Sequence, residues 1–386
     1  MNRYISGNVI TNLNDITGDE VLILDAYSIF DGLDTIAQHR PIAAIADNKY
    51  IFSHISSFLQ MINVPLFFAP SSIIEDLCHL KQISIDLLKN TTTSSIDAQK
   101  QLPDLGPSIM YKNEQISVCS SLKGMDINNS IKYGADGIGL ISTEFVFYNR
   151  VFYNKDEKTA GDFQVKTFNR MFENYPSIDY TIRLFDIIDD KIPVWCKPIW
   201  AEYERKNRTS RLLFSTEFSE FFEQQIKAIV TLAKKFSVSL LIPYFTSCDE
   251  IKTVRKAISA YDSNCNVLLG VMIETVSAIG EMRSMIDMVD FFSVGSNDLV
   301  QSYFGLDRTN IEDQLDRISL NDAFWSTLRN IITNANGKQV RICGQLPIAS
   351  NAINHLIELG YRNFTISPMY IPYLKNVIHE GVHHKI

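Results

Sequence analysis

The sequence predicts an α/β protein whose C-terminal part is a (β/α)8 barrel, preceded by a smaller α/β unit. Three observations predict it. Eight strand-length apolar runs recur after residue 108 with helical stretches between them. Helix periodicity fills the intervals, as at Phe218/Phe222/Ile226/Ile229 and Ile251/Val254/Ile258. The first ~75 residues carry their own short strands, with a polar, proline-containing stretch before the barrel.

Taken in order, Val21–Asp25, Pro41–Ala46 and Val64–Ala69 read as strands, and Ser53–Ile62 as a helix. From Ile73, Leu77, Leu80, Ile83 and Leu87 recur every three or four residues and read as one helical stripe. Asn90–Ser95, Pro103 and Pro107 then break the pattern. The expected organisation is a first domain over 1–72, a helical linker over 73–107 and a barrel over 108–386. The barrel strands are expected at Gln115–Ser120, Gly137–Ile141, Tyr180–Asp186, Val238–Phe245, Val267–Glu274, Asp290–Gly295, Gln339–Cys343 and Asn363–Ser367.

The 386 residues carry 36 Lys+Arg against 44 Asp+Glu, a net charge of −8, with 46% hydrophobic residues. An acidic chain without a basic block is a poor general nucleic-acid binder, and no apolar run is long enough to span a bilayer. Six cysteines without metal-finger or CxxC spacing, and no signal peptide, read as reduced thiols of a cytoplasmic protein.

Polar residues then collect where barrel strands should end: Thr143-Glu144, Arg183 and Asp186, Glu274, Asn297-Asp298, Cys343 and Ser367. In a barrel such positions converge on one face, where catalysis takes place. Glu274 and Asp298 are hard carboxylates suited to Mg²⁺, or else solvated or salt-bridged acids. Arg183, in an apolar strand, needs an anionic partner, while Arg208, Arg211 and Arg308 offer guanidinium forks or lie on the surface. Cys343 reads as an acid/base thiol or as a small buried hydrophobe. His54, ahead of a helix-like stretch, is a phosphoryl acceptor or a structural histidine.

Several segments resemble the PEP-utilising enzymes, above all Enzyme I of the bacterial sugar phosphotransferase system, and also PEP synthase and pyruvate phosphate dikinase. They are Gly134-Ala-Asp-Gly-Ile-Gly-Leu-Ile-Ser-Thr-Glu-Phe145, Arg183-Leu-Phe-Asp-Ile-Ile-Asp-Asp-Lys191, Gly270-Val-Met-Ile-Glu274, Asp290–Gln301, Leu306-Asp-Arg-Thr-Asn310 and Cys343-Gly-Gln-Leu346. The resemblance implies a swivelling phosphohistidine domain with His54 as acceptor, and PEP and Mg²⁺ at the barrel mouth. By motif position Glu274 and Asp298 hold the metal, Arg183, Arg208, Asn297 and Arg308 hold PEP, and Cys343 protonates the enolate of pyruvate. It also implies a homodimer formed through the barrel.

Departures accompany the likeness. Ser142 stands where the family has an arginine, Lys49-Tyr50 replace paired glycines, and Gln345 replaces a glutamate. The first domain reads as truncated, lacking its final strands. No segment resembles the helical insertion that docks the phosphocarrier HPr or an ATP-grasp domain, so a further acceptor, a phosphocarrier or a small molecule, is expected to be separate. The expected function is PEP-dependent phosphotransfer through His54. The alternatives are a repurposed PEP or 2-oxo-acid barrel enzyme (lyase, hydrolase or transferase) without the histidine relay, and a non-catalytic PEP-binding regulator.

Overall fold

The computed structural model describes residues 3–12, 15–24, 36, 38–48, 59, 62, 64–93, 109–123, 127–147, 159–185, 196–205, 211–264, 266–305, 318, 321–349 and 352–383. His54, Arg208, Arg308, Asp186, Lys191 and nearly all of Ser53–Ile62 lie outside the described residues.

The first sheet comprises β1 (Tyr4–Ile10), β2 (Glu20–Leu24), β3 (Ala43–Asp47), β4 (Leu66–Ala69), β5 (Gln82–Asp86) and β6 (Thr91–Thr93). Its order is β4-β3-β2-β1-β5-β6, with β1 to β4 parallel and β5 antiparallel to both β1 and β6. Continuous apolar runs suit strands covered on both faces, and every residue of β2 and β4 is buried.

The helical stripe expected from Ile73 is corrected. The helix covers only Ser71–Cys78, and Ile83 lies in β5. Ile83, Ile85 and Leu87 are buried at a spacing of two, which a strand produces as readily as their neighbours suggest a helix. Asn90, at φ +52°, turns the chain into β6, formed by the β-branched run Thr91–Thr93. Two strands, β5 and β6, thus lie within the stretch where a helical linker was expected.

The second sheet begins with β7 (Ile109–Tyr111), an antiparallel hairpin partner of β8 (Glu114–Leu122). Lys112 and Asn113 both take positive φ between them, as a two-residue hairpin demands. Then follow β9 (Ile138–Ser142), β10 (Asp179–Arg183), β11 (Ser237–Ile242), β12 (Leu268–Ile273), β13 (Phe291–Gly295), β14 (Gln339–Cys343) and β15 (Asn363–Ile366). Strands β8 to β15 are parallel in sequence order, and β15 pairs with β8, closing an eight-stranded (β/α)8 barrel. The third barrel strand ends at Arg183 rather than Asp186. The helices Ser219–Ala233 and Cys248–Tyr261 bury the expected stripes, Phe222/Ile226/Ile229 and Ile251/Val254/Ile258.

The two sheets meet at β4, an edge strand. Tyr370, just beyond β15, donates its hydroxyl to the Leu66 carbonyl at 2.9 Å, and its ring meets Phe67 edge-on at 6.0 Å. The Leu66 N–H points to the Met369 sulfur at 3.2 Å. The edge's open backbone groups are thus covered by the barrel, at the end where its strands terminate.

Candidate active site

Side chains two apart on a strand share a face, so β14 sends Arg341 and Cys343 inward together, and β10 does the same with Thr181 and Arg183. Leu140, Leu241, Met272, Phe291 and Cys343 form a small apolar cluster separate from the main core. It is the barrel's interior plug, with Phe291 lying across Gly270, where a Cβ would sit 2.3 Å from the ring. Above it stand the strand-end residues.

Arg183 lies in register with Ser142 on β9 and Leu241 on β11. Its guanidinium forms an ion pair with Glu144, and both side chains are largely buried. The Glu144 Oε2 atom is buried without a hydrogen-bond partner among the described residues. Thr143 donates its hydroxyl to the Arg183 carbonyl at 2.9 Å. That hydroxyl accepts from Gln225 Nε2 at 3.3 Å, and the same amide nitrogen reaches Gln164 at 3.1 Å. Gln225 Oε1 in turn accepts from the Phe185 N–H at 2.9 Å, so one buried glutamine braces both sides of Arg183.

Glu274 follows β12 and is 2% exposed. Gly295 lies against it: a Cβ there would meet Glu274 Cγ at 2.6 Å, so a glycine is required. Behind Glu274, Thr275 caps the next helix, Val276–Met285, accepting from Ala278 N at 3.2 Å. Asn297 and Asp298 occupy the first turn of the helix Ser296–Phe304, which begins where β13 ends. Asn297 Oδ1 accepts from the Gln345 N–H at 2.8 Å, tying that helix to the end of β14. Gly344 permits this contact. Its φ is +105°, and a Cβ would fall 2.4 Å from Ser296 Oγ and 2.5 Å from Asn297 Oδ1.

Cys343 sits among them. Burial pushes its thiol up to about 12; the nearby Glu274 and Asp298 carboxylates push the same way, against Arg183 and a Ser293 hydroxyl 3.9 Å away. The thiol is therefore protonated at neutral pH and can donate a proton, whereas a thiolate nucleophile would be costly here. Arg183, Glu274 and Asp298 thus all lie within electrostatic reach of Cys343, with Asn297 fixed alongside. His54, Arg208 and Arg308 lie outside the described residues.

Ser142 is buried and brings no cation. Arg211, read above as an anion fork or a surface residue, is committed to an acid outside the mouth. It forms a bidentate pair with Glu250, 2.9 Å and 3.1 Å, and lies over the Phe214 ring. Sequence reasoning assigned no role to Gln164 or Gln225, nor to Glu144 as the partner of Arg183. The signal for the glutamines was there: Gln225 falls on the apolar face of its helix beside Phe222 and Ile226. Among the described residues no group of three or more His, Cys, Asp or Glu side chains forms a metal cluster.

Residues 98–382 match the family profile described as "PEP-utilising enzyme, PEP-binding domain". The chain belongs to the PEP-utilising enzymes. It is 29% identical over 269 residues to the phosphoenolpyruvate-protein phosphotransferase of Buchnera aphidicola subsp. Baizongia pistaciae, covering 66% of this chain and 45% of that protein. The Haemophilus influenzae protein of the same name is 24% identical over 414 residues, covering 97% of this chain and 69% of that one. Multiphosphoryl transfer protein 1 of Escherichia coli is 28% identical over 73% of this chain and 35% of its own length. Of these three, then, the chain spans about half, two thirds and one third. Among solved structures, pyruvate kinase from Pyrobaculum aerophilum aligns over 69% of this chain and 71% of that one, with 14% identity and a TM-score of 0.44.

Proposed function

We propose that the chain is a PEP-dependent phosphotransferase in which the barrel mouth binds PEP and His54 receives its phosphoryl group. The observation that carries this reading is the convergence of Arg183, Glu274 and Asp298 around a protonated Cys343, within a PEP-binding family domain. Arg183 neutralises phosphoryl or carboxylate charge, and Glu144 holds its guanidinium in place. Arg208, Arg308 and Asn297 complete the anion site by motif position. The phosphorus–oxygen bond of PEP breaks as a phosphorus–nitrogen bond to His54 forms. The enolate left behind takes the Cys343 proton on carbon and becomes pyruvate.

Glu274 and Asp298 form the donor set a Mg²⁺ ion takes, two hard carboxylates with the other positions left to water and substrate oxygens. When bound there, the ion would offset charge on the transferring phosphoryl group. The phosphohistidine would pass its group to a separate phosphocarrier or small molecule. A cytoplasmic homodimer is the setting the family likeness supports; no described helix is long and apolar enough to cross a membrane.

A second reading has its own observation. Ser142 leaves the mouth one arginine short of the family pattern, and Arg211 does not replace it. That favours a barrel acting on PEP or another 2-oxo acid without the relay. Incubation with Mg²⁺ and ³²P-labelled PEP separates the two. Acid-labile, alkali-stable label that disappears in His54→Ala supports the relay. Pyruvate release without protein-bound label, persisting in His54→Ala, supports the second reading.

A further inference from the structure

The opposite end of the barrel holds a cavity of about 620 Å³. Its wall comes from the beginnings of β8, β10, β14 and β15 and from the glycine-containing turn into β9, so it opens at the N-terminal mouth, away from the catalytic face. The apolar plug of Leu140, Leu241, Met272, Phe291 and Cys343 separates the two ends.

Arg341 projects into this cavity from β14. Its guanidinium lies over the Phe291 ring, 3.9 Å from the centroid. Its Nε donates to Gln339 Oε1 at 2.8 Å and its Nη1 to Thr181 Oγ1 at 2.7 Å. Nη2 has no acceptor among the described residues, and no described carboxylate forms an ion pair with this arginine. Burial lowers the affinity of the group for its proton, and the charges of Cys119 and Asp179 nearby offset only part of that. A guanidinium held in that way by two neutral groups and an aromatic face is preorganised for an anion it does not yet have.

The acids nearby do not supply that anion. Asp136 lines the cavity, but its carboxylate is taken by Lys375 Nζ at 2.6 Å and by the Val118 N–H at 2.7 Å. Asp179 stands at the exposed rim and accepts from Ser237 Oγ at 2.6 Å. It is close enough to act on Arg341 electrostatically yet forms no ion pair with it. The amide of Asn363, which accepts from Gln339 Nε2 at 3.1 Å, adds a neutral polar wall. The turn into β9 makes room, since Gly134 has open space where a Cβ would stand.

We propose that the N-terminal mouth of the barrel is a second ligand site, which takes a small molecule by a carboxylate seated on Arg341. Such a carboxylate belongs either to a simple organic acid or to an amino acid whose ammonium would face Asp179. The distance from the reacting side chains makes this a binding site and not a catalytic one. It stands independently of the proposed phosphotransfer.

The test titrates succinate and, separately, alanine into the full chain carrying Arg183→Gln, so that the catalytic mouth does not compete for the carboxylate. Saturable binding of either is expected. Asn363→Asp, an isosteric change that sets a negative charge beside Gln339, should weaken it at least tenfold, and Arg341→Gln should abolish it. Preference for alanine, lost in Asp179→Asn, would assign the ammonium partner; preference for succinate would assign the organic acid. Absence of binding by both probes overturns the proposal. So does binding that Asn363→Asp leaves unchanged in a chain with an unaltered unfolding transition.

Discussion

At the residue scale the barrel mouth depends on a few side chains whose partners are set by strand register. Arg183 is held by Glu144, and a buried charge that loses its partner is costly. Glu144→Ala should destabilise the fold by about 3–5 kcal/mol in denaturant titration, and should raise the KM for PEP more than it lowers kcat. Gly344 is required by both its positive φ and the contact it allows with Asn297. Gly344→Ala should lower stability by about 1–3 kcal/mol, with PEP turnover falling because Asn297 and Cys343 move apart. Cys343 should behave as a proton donor. Cys343→Ala should slow pyruvate formation by about 10²–10⁴-fold without weakening PEP binding, a split that steady-state kinetics resolves.

At the scale of elements, much of the barrel was readable because parallel strands buried on both faces give apolar runs, each followed by an amphipathic helix. The strand-end residues were readable for the same reason: Glu274, Asn297 and Cys343 interrupt or end those runs. The helix that became β5 was not. Leu77, Leu80, Ile83 and Leu87 satisfy helical spacing, and only sheet pairing with β1 decides that Ile83 and Ile85 face a core. The Arg183–Glu144 pair was hidden because it joins the end of β10 to the helical turn after β9, 39 residues apart in sequence. The Gln225 brace was missed because an amide on an apolar helix face looks like noise until its partners are in place. Gln225→Leu should leave the Phe185 N–H and Thr143 without that partner, costing about 1–3 kcal/mol in unfolding measurements.

At the scale of the whole molecule, the first sheet leans on the C-terminal end of the barrel through β4 and Tyr370. That contact joins the edge of the first sheet to the segment just after β15. The first sheet also carries an acid-sensitive element. Burial alone would raise the Glu20 carboxyl, but hydrogen bonds from the Thr17 side chain and backbone and from Gly18 outweigh it and hold it down to about 2 from 4.5. A carboxyl lowered by folding stabilises the folded state above its unfolded value and loses that contribution as pH falls toward the folded one. Stability should therefore decline from about pH 4.5 toward pH 2, and Glu20→Gln should flatten that slope in pH-dependent thermal unfolding.

The central claim concerns the barrel mouth, and calorimetric titration with PEP in the presence and absence of Mg²⁺ tests it most directly. Saturable, Mg²⁺-dependent binding is expected, lost in Arg183→Gln and Glu274→Gln and retained in His54→Ala. Absence of binding, or binding that Arg183→Gln leaves intact, would contradict the account.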